Sequence, residues 1–161
     1  MAGDQEPTGF RIGVLSDTHG LLRPEAVEAL RGSDHIVHAG DIGAAGLVEA
    51  LSALGPVTAI RGNIDRAAWA MAFPETATLR LCGCAVHVVH DLANLDLGLL
   101  DRDPDVVISG HSHRPRIERR GATLFLNPGS AGPRRFRLPV TLASVTILQG
   151  GIEATIQDLP V

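Results

Sequence analysis

Seven residues of metal-ligating type recur along the chain: Asp17 and His19, Asp41, Asn63, His90, and the pair His111 and His113. Each follows a short apolar run, as in Val106-Val-Ile-Ser-Gly-His-Ser-His113. Burying two imidazoles for packing alone is costly, so a strand that ends in such a pair points to chemistry. Taken singly, His111 and His113 also suit a solvated turn, and Asp17, Asp41 and Asn63 stand in turn-forming sequence. Their succession argues against coincidence. The separations from Asp17 to Asp41, Asn63, His90 and His111 in turn are 24, 22, 27 and 21 residues, each about one strand plus one connection. If those strands share a direction, all seven side chains reach one rim, where open sheets carry their sites.

Mixed carboxylate, imidazole and amide donors suit manganese, iron, zinc or nickel better than a thiolate-preferring ion. Asp41, the middle carboxylate, is the natural bridge between two divalent ions. Two ions, two aspartates and one bridging hydroxide leave a charge of about +1, which attracts an anionic phosphodiester. The neutral amide of Asn63 preserves that excess where a third carboxylate would erase it. Two ions roughly 3.5–4 Å apart can both generate the hydroxide and clamp the phosphoryl oxygens during in-line attack.

The elements that must position these groups follow from the pattern between them. Arg11–Ser16, His35–Ala39 and Val57–Ile60 read as strands, separated by helices over Pro24–Arg31 and Gly43–Ala53. That alternation implies right-handed crossovers and a parallel sheet. The second half is β-rich. Thr76–Leu81 and Ala85–Val89 form a hairpin around Cys82-Gly83, and Asp91–Arg102 is a linker or short helix. Val106–Ser109 is a strand, Arg116–Arg119 and Thr123–Leu126 pair next, and Val140–Leu148 with Ile152–Ile156 close the chain. A parallel half and a β-rich half suggest two sheets face to face with helices outside.

A chain of 161 residues, 45% apolar and 20% charged, is neither disordered nor too small for a core, and one domain over residues 1–161 is expected. Residues 1–9 are expected to be a flexible N-terminus. Without a run of about 18 uncharged apolar residues, no membrane span is expected. The polar start lacks an apolar signal region and the chain has two cysteines, so a cytoplasmic location is expected. Cys82 and Cys84 flank a single glycine, which suits a hairpin turn better than a disulfide. A net charge of −4, with one Trp, four Phe and no Tyr, disfavours a nucleic-acid polymer as partner.

In order, Asp17-Thr-His19, Gly40-Asp41, Gly62-Asn63, His90 and Gly110-His-Ser-His113 resemble the motif set of the calcineurin-like metallophosphoesterases. Gly62-Asn-Ile-Asp65 and Asn127-Pro-Gly-Ser130, with the small size, resemble the small bacterial and archaeal phosphodiesterase branch. The resemblance spans nearly the whole chain. It implies an α/β fold, a four-layer αββα sandwich of two mixed sheets with flanking helices. It also implies one ion on Asp17, His19, Asp41 and His113, and a second on Asp41, Asn63, His90 and His111. The activity implied is hydrolysis of phosphodiesters by a hydroxide bridging two ions, manganese first and iron, zinc or nickel as alternatives. The implied partner is a small phosphate-ester substrate, and a homo-oligomer is left open. Some relatives instead serve as protein scaffolds with weakened metal sites; here all seven ligand positions are filled.

Two positions depart from that pattern. Ile64 stands where many relatives carry a histidine thought to protonate the leaving group, which makes Asp65 the nearest candidate acid beside Asn63 in the catalytic set, with water as the alternative. Asp91 follows His90 where branch members usually carry glycine, and the connection to the last motif is short. Arg114 directly follows the ligands and is a candidate phosphate contact. His35, His38 and His87 read as structural, and the other arginines as solvated strand faces. The Asn127–Ser130 turn is a candidate support for the site.

Overall fold

The computed structural model describes residues 9–161; apart from Gly9, the N-terminus expected to be flexible lies outside the described residues. In chain order the regular elements are β1 (Phe10–Leu15), α1 (Pro24–Leu30), β2 (His35–His38), α2 (Leu47–Ser52) and β3 (Val57–Ala59). They are followed by β4 (Thr76–Leu81), β5 (Cys84–Val89), β6 (Val106–Ile108), β7 (Arg116–Arg120), β8 (Thr123–Asn127), β9 (Thr141–Leu148) and β10 (Gly151–Asp158). Two five-stranded sheets result, ordered β10-β9-β1-β2-β3 and β4-β5-β6-β8-β7. Both are mixed. β1, β2 and β3 run parallel, as do β5, β6 and β8, while the remaining pairs are antiparallel.

Strand alternation builds the core. Ile12 and Val14 of β1, Val86 and Val88 of β5, Val106 and Ile108 of β6, and Leu124 and Leu126 of β8 meet between the sheets. Their neighbours point the other way. Leu15 and Ile36 pack with Ala26 and Leu30 of α1 and with Leu47 and Leu51 of α2. On the far sheet, Val89, Val107 and Phe125 are covered by Leu95. That outer layer is thin: two single 3-10 turns, Leu92–Asn94 and Leu97–Leu99, each opened by an aspartate whose carboxylate accepts a main-chain N–H.

One expectation is revised and one element is new. The helix expected over Gly43–Ala53 begins only at Leu47. Gly43 is held in the left-handed region (φ 88°), and its N–H is given to Asp65, so the first residues belong to a loop. A short 3-10 helix, Ala68–Ala72, was also not anticipated. Cys82 (φ 48°) and Gly83 (φ 81°) form the two-residue turn of the β4–β5 hairpin, and both cysteines are free. Paired left-handed residues are what a tight hairpin of matching twist requires. Among the described residues no helix is long and apolar enough to cross a membrane.

Leu126 is 1% exposed between the sheets, whereas Leu99 is 81% exposed on the thin outer layer. Leu126→Ala should lose about 2–5 kcal/mol in urea unfolding, and Leu99→Ala should stay within about 0.5 kcal/mol of the parent.

Candidate metal centre

The parallel strands deliver their final residues to one edge. Beyond β1 and β2 the pairing continues as loop-to-loop bonds: Asp17 N–H to Gly40 O (3.0 Å), His19 N–H to Asp41 O (3.0 Å) and Gly20 N–H to Ile42 O (2.8 Å). Asp17 (φ 56°), His19 (47°), Asp41 (56°), His111 (73°) and His113 (62°) all occupy the left-handed region. Each such non-glycine residue costs on the order of 1–3 kcal/mol, and such strain concentrates at functional sites. The adjoining glycines have a local reason. A Cβ at Gly62 would lie 2.1 Å from Asp41 Oδ1, and one at Gly110 would lie 2.1 Å from Ser16 Oγ. Larger residues there would displace the aspartates.

The five side chains nearest the centre are Asp17, His19, Asp41, His90 and His113. Around Asp17 Oδ1 stand His113 Nε2 at 3.3 Å and His19 and His90 Nε2 at 3.9 Å. The two Asp41 oxygens face different rings: Oδ2 lies 3.5 Å from His19 Nε2, and Oδ1 lies 3.3 Å from His90 Nε2. Asp17 Oδ1, His19 Nε2 and His90 Nε2 are buried without hydrogen-bond partners. Donors that share one ion at about 2.1 Å lie roughly 3–3.5 Å from each other, and these separations fall close to that range. Asp17, His19 and His113 form one group able to hold an ion, and Asp17, Asp41 and His90 a second.

His90 makes the electrostatic case. Its Nδ1 lies 2.7 Å from the Ala39 carbonyl, an acceptor, so Nδ1 carries the proton. In the neutral ring, Nε2 therefore aims a lone pair at two carboxylate oxygens, an arrangement relieved by a cation between them. Burial raises the carboxyl pKa of Asp17, but the close ring nitrogens of His113 and His19, the Ser16 hydroxyl and the nearby charge of His90 drive it well below the usual range. Asp41 is also raised by burial and lowered, on balance, chiefly by His90. Burial lowers the pKa of His90, yet Asp41 and the Ala39 carbonyl leave it raised on balance. Both aspartates are thus held as anions among nitrogen donors.

Asn63 and His111 complete the edge. Asn63 Oδ1 lies 3.2 Å from His111 Nδ1, and the His90 and His111 rings stand 5.3 Å apart. All seven residues expected at the rim are brought together there. A cleft of about 480 Å³ opens beside them, lined by Arg61, Asn63, Glu75, His90, Asp91 and His111.

Asp65 requires correction. Its Oδ2 accepts N–H from Gly62 (2.8 Å) and Ile42 (2.9 Å), and its Oδ1 accepts N–H from Gly43 (2.9 Å). At 3% exposure, with three main-chain donors on its oxygens, it is a brace between two loops rather than a proton donor. Arg114 is exposed, and its guanidinium has no hydrogen-bond partner among the described residues. Supporting contacts came from residues that carry little signal in the sequence. Ser16 Oγ donates to Asp17 Oδ2 (2.7 Å), which also accepts from His111 N–H (3.1 Å). Asn127 Nδ2 donates to Gly110 O, and Ser130 Oγ donates to Asp17 O, so the Asn127–Ser130 turn does tie both ligand loops.

Residues 10–150 match the calcineurin-like phosphoesterase superfamily domain. The chain belongs to that superfamily. A probable metallophosphoesterase of Methanothermobacter thermautotrophicus is 36% identical over 131 residues, covering 74% of this chain and 76% of the relative. Among solved structures, an archaeal phosphodiesterase superposes with TM-score 0.74 at 20% identity, over 91% of this chain and 99% of that one. Vacuolar Protein Sorting 29 of Cryptosporidium parvum reaches 0.73 at 18% identity, over 94% and 98%. In this calcineurin-like phosphoesterase the seven candidate ligands stand on the loops that follow β1, β2, β3, β5 and β6.

His35 and His87 pair with the hydroxyls of Thr58 and Thr78. His38, fully buried, supports the phosphoesterase loops directly. Gly40 N–H donates to its Nδ1 (3.2 Å), so Nε2–H faces Thr18 Oγ1 (2.9 Å), which donates onward to Ile42 O (2.9 Å). The ring must therefore be neutral, and burial lowers its pKa from 6.5 to about 4. Stability from this group is complete above pH 6.5 and is lost as pH falls towards 4. Urea unfolding of the metal-free protein should show the parent losing on the order of 3 kcal/mol more than His38→Asn between pH 7 and 4. Equal losses would remove His38 from the account.

Proposed function

We propose that this phosphoesterase hydrolyses phosphodiesters with two divalent ions bound at the rim. The observation that carries the reading is Asp41, whose two oxygens face different histidines, as suits a carboxylate that serves two ions through separate oxygens. Asp17, His19, Asp41 and His113 would hold one ion; Asp41, Asn63, His90 and His111 would hold the other. Two bound divalent ions supply a hydroxide nucleophile at neutral pH and a clamp for the phosphoryl oxygens. The protein's part is orientation. Ser16 and the His111 N–H fix the Asp17 carboxylate, and the Ile64 N–H (3.2 Å) fixes Asp41 Oδ1.

The cleft beside Asn63 and His111 receives the ester. Arg114, adjoining His113 and free of side-chain partners among the described residues, is the proposed contact to a phosphate oxygen. With Ile64 in place of a histidine and Asp65 occupied by main-chain donors, this chain places no proton donor at that position. Esters with good leaving groups should therefore react fastest. The archaeal phosphodiesterase superposes over nearly its whole length, which supports the diester reading. Vacuolar Protein Sorting 29 shares the fold, and the presence of all seven candidate ligands at the rim supports hydrolysis over scaffolding.

Purified protein reconstituted with manganese should bind two equivalents and cleave bis(p-nitrophenyl) phosphate. Asp41→Asn should lower metal content and reduce turnover at least 100-fold. Turnover that survives exhaustive chelation would overturn the reading, and a stable chain that takes up no metal would favour a scaffold. Asp65→Asn should lower thermal stability and slow nitrophenyl and alkyl esters by the same factor; a loss confined to alkyl esters would restore Asp65 as an acid.

A further inference from the structure

Asp91 lies in the cleft wall, immediately after His90, and the role proposed above uses neither of its oxygens. One of them, Oδ1, accepts the Ala93 N–H (3.0 Å) and caps the 3-10 turn Leu92–Asn94. The other, Oδ2, lies 3.6 Å from His111 Nε2. The opposite nitrogen of that ring, Nδ1, faces the Asn63 amide oxygen at 3.2 Å. His111 is thus held between two acceptors, and the charged one faces Nε2.

That arrangement selects a tautomer. Oδ2 at 3.6 Å stands just beyond hydrogen-bond distance of Nε2, while Nδ1 lies within that distance of Asn63 Oδ1. An ionised carboxylate accepts and cannot donate, so its negative charge beside Nε2 favours the proton of a neutral His111 there. The Nδ1 lone pair then points towards the lone pairs of Asn63 Oδ1, which makes two donors for one cation. His90 solves the same problem in the opposite sense, with Nδ1–H on the Ala39 carbonyl and Nε2 free. A ligating histidine characteristically gives its second N–H to a carboxylate or carbonyl, which fixes the ring and raises its basicity.

We propose that Asp91 is a positioning residue that holds His111 as the Nε2–H tautomer, so that His111 Nδ1 and Asn63 Oδ1 face one ion. The inference rests on the two-ion reading above. It assigns Asp91 a part in the affinity of the second, cleft-side ion and none in the first, whose donors Asp17, His19 and His113 it does not touch.

Asp91→Asn separates this role from the cap. An asparagine oxygen can still accept the Ala93 N–H, while its amide N–H₂ now faces His111 Nε2 and favours a proton on Nδ1 instead. Titration of the metal-free protein with manganese and with zinc should leave the first binding event within twofold of the parent. The second should weaken about 10- to 100-fold. Nitrogen-15 spectra of the metal-free protein at pH 8 should show His111 as the Nε2–H tautomer in the parent and as the Nδ1–H tautomer in Asp91→Asn. Asp91→Ala, which loses the cap as well, should weaken the second ion to a similar extent and lower thermal stability further. Equal second-ion affinities in the parent and Asp91→Asn, or an Nδ1–H tautomer in the parent, would overturn the inference and leave the two-ion reading standing. A parent that binds no second ion would overturn both.

Discussion

Two buried carboxylates facing imidazole nitrogens set the terms for the rest of the molecule. Asp17 is fully buried, and Asp41 nearly so. Removing a carboxylate from water without full compensation costs several kcal/mol even after relaxation. Here the compensation stops short, because Asp17 Oδ1 and the Nε2 atoms of His19 and His90 lack hydrogen-bond partners. Neutral imidazoles turned with their lone pairs towards carboxylates repel them; positive charge between the groups converts the same arrangement into coordination. The metal-free fold is therefore least comfortable where the family places its chemistry, and the surrounding sandwich must hold that arrangement against its own repulsion.

The sandwich does so through main-chain order. The loops after β1 and β2 remain hydrogen-bonded to each other beyond the strands, so Asp17 and Asp41 keep the register of a parallel pair. Asp65 ties the Asp41 loop to Gly62, and Asn127 and Ser130 tie the last motif and the Asp17 backbone to the end of β8. These braces fix residues whose left-handed φ angles are individually unfavourable. The glycines beside the ligands are small for the same reason: a Cβ at Gly62 or Gly110 would occupy the space of an aspartate oxygen or its serine donor. Rigidity here is a property of the network, and the inter-sheet core beneath it supplies the platform.

The strand ends were legible in the sequence because apolar runs stop abruptly at polar ligand types, and that transition survives into the structure at Asp17, Asp41, His90 and His111. Residues whose roles depend on long-range contacts were harder to read. Asp65 looked like an acid by its nearness to Asn63, but nearness along the chain said nothing of the three N–H groups that surround it. The helix over Gly43–Ala53 was overdrawn because alanine-rich composition signals helix propensity, whereas Gly43 is committed to the loop by Asp65. Ser16 and His38 are ordinary strand residues by pattern. Their contacts with Asp17 and with Thr18 and Gly40 exist only once β1 and β2 are paired.

The two halves of the centre differ in how firmly they are held. Asp17, His90 and His113 lie within the sandwich edge, and the tautomer of His90 is set by a carbonyl of the core-facing Ala39. His111 is about half exposed, and the groups that orient it, Asn63 and Asp91, stand in the cleft wall. Asp91 in turn belongs to the thin 3-10 layer that covers the second sheet. A buried, sheet-anchored half has less room to move than an exposed half built on short turns. On this account the connection after β5, reduced to two 3-10 turns, shapes more than the outer face. It places Asp91 beside the cleft-side donors, so on the two-ion reading proposed above changes in its length or sequence would alter substrate choice and second-ion binding together while leaving the buried donors unchanged.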